Sequence, residues 1–125
     1  MVNYPVGDFL IQIKNAGRAL RTDVTVKNTK LIHAVALSLK KAGYVSEVKV
    51  ADYMLTATLA YHKKEPKLTD LRLVSKPGLR LYTDIRELRL RRKPSLLIIS
   101  TPQGIMSSKE ALKNNIGGEV IVEIW

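Results

Sequence analysis

The chain contains no cysteine, which excludes a disulfide framework, thiol catalysis and a cysteine-ligated zinc site together. Histidine occurs only at His33 and His62, and neither stands in a catalytic or metal-ligating pattern, so both read as ordinary helix-surface and loop residues. The carboxylates are scattered, mostly beside Lys or Arg, and neither a G-x-G-x-x-G nor a G-x-x-x-x-G-K-[ST] phosphate loop is present. No stretch approaches the roughly 20 apolar residues of a membrane span, and residues 1–10 lack the basic start and apolar run of a signal peptide. These absences predict a non-enzymatic soluble protein with no cofactor, metal, membrane partner or small-molecule substrate. Its place is the cytoplasm, or an organelle that makes its own proteins.

What the chain has is positive charge: 21 Lys and Arg against 11 Asp and Glu, a formal +10 at pH 7 with a pI near 10.0. Lys and Arg that neutralise phosphates release counterions, so nucleic acid leads and an anionic membrane surface is the competing partner. No amphipathic basic helix is long enough to favour the membrane. At 125 residues, 46% hydrophobic and 26% charged, the chain is an ordered protein with one ordinary core or two small ones.

The hydrophobic pattern predicts an α+β fold in two small halves. Pro5 suits a first helical turn, and Phe9, Leu10, Ile13, Ala16 and Leu20 recur at helical spacing, giving a helix over 5–21. Val24 and Val26 mark a strand; Thr29 caps a second helix with Leu31, Val35, Ala36 and Leu39 on one face and Gly43 at its end. Residues 44–50 and 54–61 form a hairpin, and the polar HKKEPK stretch over 62–67 divides an N-terminal subdomain, 1–64, from a β-rich one, 65–125. In the second half, strands are expected over 68–74, 79–82, 95–100 and 119–125, with a Pro77-Gly78 turn and a short helix near 84–88. Ser107 and Glu110 have capping-box spacing for another.

The charge is uneven. Residues 72–93 hold eight basic side chains against Asp84 and Glu87, a net +6, while 101–125 hold two Lys and three Glu, a net −1. The basic stretch, with Arg86, Arg89, Arg91, Arg92 and Lys93, is placed to hold phosphates. The uncharged segment from Ser100 onward, rich in hydroxyls, an amide and glycines, is suited to reading shape, sugars or base edges. A Lys or Arg outside 86–93 can equally be a solvated surface charge, a reading that the clustered run within 86–93 weakens; Gly117-Gly118 can be simply a flexible lead into a strand, and Tyr82 a strand-packing aromatic as readily as a ring that stacks on a base or sugar.

The segment Ile98-Ile99-Ser100-Thr101-Pro102-Gln103-Gly104-Ile105-Met106-Ser107, with Lys109-Glu110-Ala111 and Ile116-Gly117-Gly118-Glu119-Val120 behind it, resembles the C-terminal signature of the eighth small-subunit ribosomal protein family of the bacterial type. Ile13-Lys14-Asn15-Ala16 and the run from Val74 to Tyr82 resemble two further family blocks, so the likeness spans nearly the whole chain. It implies a structural component of the small ribosomal subunit that binds the central domain of small-subunit rRNA and supports assembly beside neighbouring ribosomal proteins. In some bacteria the family also represses its own operon mRNA. It implies RNA contacts at Ser100, Thr101, Gly104, Met106, Ser107 and Glu119, and at Lys30 in the N-terminal half; Gln103, Gly117 and Gly118 join them as neighbours in the same signature. Two features depart from the family pattern: Pro102, where a serine is usual, and the run from Arg89 to Lys93. A nucleic-acid-processing enzyme and an mRNA regulator acting off the ribosome are the alternatives from other classes.

Overall fold

A computed structural model describes residues 4–125. Helix α1 (Pro5–Arg18) starts with proline where a missing N–H costs nothing and buries Val6, Phe9, Leu10, Ile13 and Ala16 on one stripe. It ends three residues before the predicted limit, because the Leu20 and Arg21 amides turn back to the Gly17 and Ala16 carbonyls, with Leu20 at φ 58°. Leu20 is thereby exposed and does not extend the stripe.

Strand β1 (Asp23–Lys27) leads into α2 (Lys30–Ala42), whose first turn is capped by the Thr29 hydroxyl, accepting from the Ile32 amide at 3.1 Å. Gly43 closes it at φ 93° in open space, so the left-handed backbone alone requires glycine there. The inward face begins at Ile32 and not at the predicted Leu31, which points to solvent. Strands β2 (Val45–Ala51) and β3 (Met54–Leu59) form the expected hairpin, with Asp52 and Tyr53 both at positive φ, and the first sheet runs β1-β3-β2, all antiparallel. The polar stretch predicted as a linker is itself a tight hairpin, β4 (Tyr61–His62) against β5 (Glu65–Pro66), with Lys63 and Lys64 at the turn.

The remaining elements are β6 (Leu71–Leu73), β7 (Tyr82–Thr83), α3 (Ile85–Leu90), β8 (Leu96–Thr101), β9 (Gly104–Ser107), α4 (Ser108–Lys113) and β10 (Gly118–Ile124). They build an antiparallel sheet ordered β6-β10-β8-β9, with β7 pairing the start of β10. The predicted strand at 79–82 shrinks to β7, because the buried Ser75 hydroxyl accepts the Leu81 amide at 3.0 Å and donates to its carbonyl, holding that segment as a loop. The strand expected at 68–74 also shortens, since the Thr69 and Asp70 amides bond the Trp125 carbonyl group.

Alternation along β8 packs the sheet on both sides. Leu96 and Ile98 face one large cluster that includes Phe9, Leu10, Val35, Leu39 and Leu55, so α1, α2 and both sheets share a core. Ile99 faces a smaller cluster with Leu88, Met106 and Ala111 beneath α3 and α4. Trp125 lies exposed past the end of β10.

Candidate RNA interface

The segment predicted as a reading loop, Ser100 to Ser107, is instead a hairpin joining β8 to β9, with Thr101 paired to Gly104 and Ser100 to Ile105. Pro102 and Gln103 form its exposed tip. The Thr101 hydroxyl donates to the Gly104 carbonyl at 2.7 Å and accepts from the Gln103 amide at 3.1 Å, closing the turn from within. Proline fits here because it stands at a turn corner, where its fixed φ is an advantage and no ladder bond needs its N–H.

Three signature residues face inward. Met106 packs in the small cluster, and the Asn114 amide donates toward its sulfur at 3.7 Å. Ser107 is buried and caps α4, its hydroxyl accepting from the Glu110 amide at 3.3 Å. That is half of the predicted capping box, as the Glu110 carboxylate reaches Lys41 at 2.9 Å and not the Ser107 amide. Thr101 is also buried, so its hydroxyl serves the turn first.

The glycine pair has a structural cause that neither sequence interpretation named. Three backbones converge on the start of β10: a Cβ on Gly117 would collide with the Thr83 carbonyl oxygen and stand 2.7 Å from Asp84 Cα, and one on Gly118 would collide with the Ser100 carbonyl oxygen. Side-chain-free backbone therefore forms the floor of a shallow cleft of about 690 Å³. One wall is Tyr82 to Ile85 and the other Ser100 to Pro102. Tyr82, Glu119 and Ser100 lie side by side across β7, β10 and β8, their side chains on one face. Tyr82 is 68% exposed and so is not the strand-packing aromatic that one reading expected. Arg80 donates to Glu119 at 3.2 Å, so this carboxylate is held and partly neutralised.

The basic stretch flanks the cleft along α3. Asp84 caps that helix, accepting from the Glu87 amide at 2.8 Å, and turns Arg86, Arg89, Arg92 and Lys93 to solvent. Arg89 donates to the side-chain oxygen of Asn115, which joins the flank to the cleft wall. Arg91 goes the other way: it donates to the Ser95 carbonyl and hydroxyl, both at 2.6 Å, and reaches Glu123 at 3.4 Å. Lys30 sits exposed at the start of α2 in the other half and is not among the residues lining the cleft.

Glu123 is the anchor of this arrangement, accepting from the Ser95 hydroxyl at 2.6 Å and from Arg72 at 2.9 Å. The Ser95 hydroxyl, and then Arg72, hold its carboxyl below the usual carboxylate range. A carboxyl depressed in the folded state stabilises the protein above the unfolded-state carboxylate pKa, and that contribution disappears as pH falls through the folded value. Acid titration of the unfolding midpoint should therefore show a loss below about pH 4.5 that Glu123→Gln reduces, with the variant less stable at pH 7 by about 1–2 kcal/mol. An unchanged acid limb in the variant would contradict this role.

Sequence reasoning missed Thr83, Asp84, Ile85, Asn115 and Ile116 as cleft residues. Two left a signal: Asp84 stands three before Glu87 as a helix cap, and Asn115 takes the left-handed conformation, φ 58°, that asparagine tolerates after a helix.

The family model described as ribosomal protein S8 matches residues 4–125. The chain is 35% identical over its whole length to a small ribosomal subunit protein uS8 of Nitratidesulfovibrio vulgaris, with 100% of each covered. It is 39% identical to that of Chloroflexus aurantiacus, covering 99% of this chain and 98% of the relative, and 40% identical to that of Spiroplasma kunkelii, with 96% of each covered. A match that runs through α1, the Ser100–Ser107 hairpin and the glycine floor alike leaves one conclusion: the chain belongs to the ribosomal protein S8 family.

Proposed function

We propose that the chain is a structural constituent of the small ribosomal subunit that binds the central domain of small-subunit rRNA directly and supports subunit assembly. The observation that carries this is the pairing of a glycine-floored cleft, walled by Tyr82 to Ile85 and Ser100 to Pro102, with a basic flank along α3; its two carboxylates are already engaged, Glu119 by Arg80 and Asp84 by the Glu87 amide. Backbone without side chains lets a sugar or base edge approach closely, hydroxyls and amides discriminate 2′-OH groups and base edges, and the arginines hold phosphates. No catalytic step belongs to this reading, since His33 and His62 stand on separate elements, α2 and β4. The work is done in the cytoplasm, within the ribosome, in contact with other small-subunit proteins. An mRNA folded like the rRNA site would occupy the same cleft, and repression of the chain's own operon would then be competition between two RNAs.

Footprinting of the purified chain on small-subunit rRNA tests the reading: protection is expected on one central-domain helix, and protection elsewhere or nowhere overturns it. Replacing Arg86 and Arg92 together should lower the slope of log affinity against log salt by about one unit for each phosphate no longer neutralised, equally for specific and non-specific RNA. Tyr82→Ala should instead cost about 1–3 kcal/mol of specific affinity by loss of stacking, with the salt slope and the unfolding midpoint unchanged.

A further inference from the structure

Beyond the RNA cleft, three hollows lie around the opposite end of the C-terminal sheet. They measure about 370, 360 and 520 Å³ and share walls: Pro94, Leu96 and Lys109 line the first two, and Ala42 and Tyr44 the second and third. They adjoin along these residues, and together they make the groove. The groove meets β8 at Leu96, whereas the RNA cleft meets it at Ser100 and Thr101, about 13 Å along the strand at ~3.3 Å per residue.

The groove has an apolar floor and a cationic rim. Tyr44, Pro94, Leu96 and Leu112 supply the floor, and burial pushes the Tyr44 phenol up, as an apolar surrounding does. On the rim, Lys67 and Lys109 carry no ion pair among the described residues, and Lys93, the last residue of the basic flank, borders it. Lys41 is neutralised by Glu110 at 2.9 Å, in an ion pair that joins the two halves across the groove. Glu65 is the one acid of the rim left without an ion pair among the described residues.

We propose that this groove docks an extended segment of a neighbouring small-subunit protein that presents apolar side chains on one face and carboxylates on the other. An extended chain alternates its side chains with a period of two, so one face can fill the floor while the other meets the lysines. A phosphate backbone gains nothing from an apolar floor, which favours peptide over RNA. Because the walls come from α2 and β4 on one side and the Pro94 loop and α4 on the other, the docked segment ties the two halves together. The partner's setting rests on the ribosomal reading above; the chemistry of the groove does not.

The test places a benzophenone amino acid at Ala42, an exposed wall residue, and assembles the full chain into small subunits reconstituted from purified components. Irradiation is expected to crosslink a peptide of another small-subunit protein bearing net negative charge. Lys67→Glu with Lys109→Glu should cut that yield at least tenfold, and the double arginine variant should retain it. A crosslink to rRNA, to a peptide without acidic residues, or to nothing overturns the proposal, as does a yield indifferent to charge reversal. Affinity of the free chain for an rRNA fragment is measured in parallel: its absence removes the ribosomal reading, while intact affinity with a failed crosslink removes the groove alone.

Discussion

Gly118→Ala is expected to lower the unfolding free energy by about 3 kcal/mol and to weaken specific RNA binding at least tenfold, although the change adds one methyl group. The added Cβ would collide with the Ser100 carbonyl oxygen, stand 2.9 Å from the Ser100 carbonyl carbon and 3.1 Å from Thr101 Cα, all backbone of a strand paired on both edges. A flexible side chain could swing away, but β8 can yield only by breaking its ladder to β10 or moving the Ser100–Ser107 hairpin. The cost falls at the upper end of the range for overpacking because the obstacle is main chain. Gly118 lies in a strand without positive φ, so alanine suffers no backbone strain there and the effect isolates the collision. Gly104→Ala supplies the contrast: its Cβ would meet nothing within 4 Å, but φ is 119°, so it loses stability through strain at the hairpin tip. Denaturant unfolding of both variants, with RNA affinity measured under native conditions, separates the mechanisms. An unshifted Gly118→Ala midpoint would mean that the strands can part there at no cost.

Much of this was legible in the sequence wherever one residue's chemistry decides its local structure. Thr29, Gly43 and Ser107 do what a cap or a stop residue does in any helix, and the run from Leu96 to Ile99, short and bounded by Pro94 and Pro102, has the length and flanks of a buried strand. What failed depended on partners distant in the chain. Leu31 and Ile32 are equivalent in a pattern of spacings, and which one turns inward is set by how α2 lies on its sheet. The 79–82 strand was lost to one hydroxyl, Ser75, that competes for backbone bonds. The Ser100–Ser107 segment reads as a loop because Pro102 and Gly104 punctuate it, yet Pro102 and Gln103 make a two-residue turn and leave both strands intact. Arg91 is indistinguishable in sequence from Arg89 and Arg92, and Ser95 together with Glu123, 32 residues on, turns it inward.

The site divides in the same way. Charge segregation was visible by counting, and the structure gives it a geometry, with a glycine floor and a basic flank. The hydroxyl-rich signature misleads in detail, because Thr101 and Ser107 spend their hydroxyls on a turn and a cap. Among the described residues the side chains of Ser100, Gln103 and Tyr82 make no hydrogen bond, so the proposed RNA contacts fall on them, and replacing Thr101 or Ser107 tests folding as much as binding.

Ile98→Ala should remove about 4 kcal/mol of stability and leave a single cooperative transition for the whole chain. Ile98 is fully buried on the face of β8 that shares its cluster with Phe9, Leu10, Val35 and Leu39, so the cavity opens where the subdomains at 1–64 and 65–125 would meet. Two small halves of this size would each be marginal alone, and a common core is how they reach useful stability together. Such a loss approaches the whole stability of many domains of this length, so the variant should be measured at low temperature or with stabilising salt. Ile99→Ala, one residue along on the opposite face, opens a cavity among Leu88, Met106 and Ala111, which belong to the second half alone. It should loosen α3 and α4, and with them the cleft wall, so RNA affinity falls while amide exchange in α1 and α2 stays slow. If Ile98→Ala produced two separate transitions, with α1 and α2 melting apart from the C-terminal sheet, the shared core would have to be abandoned and the halves treated as independent folding units.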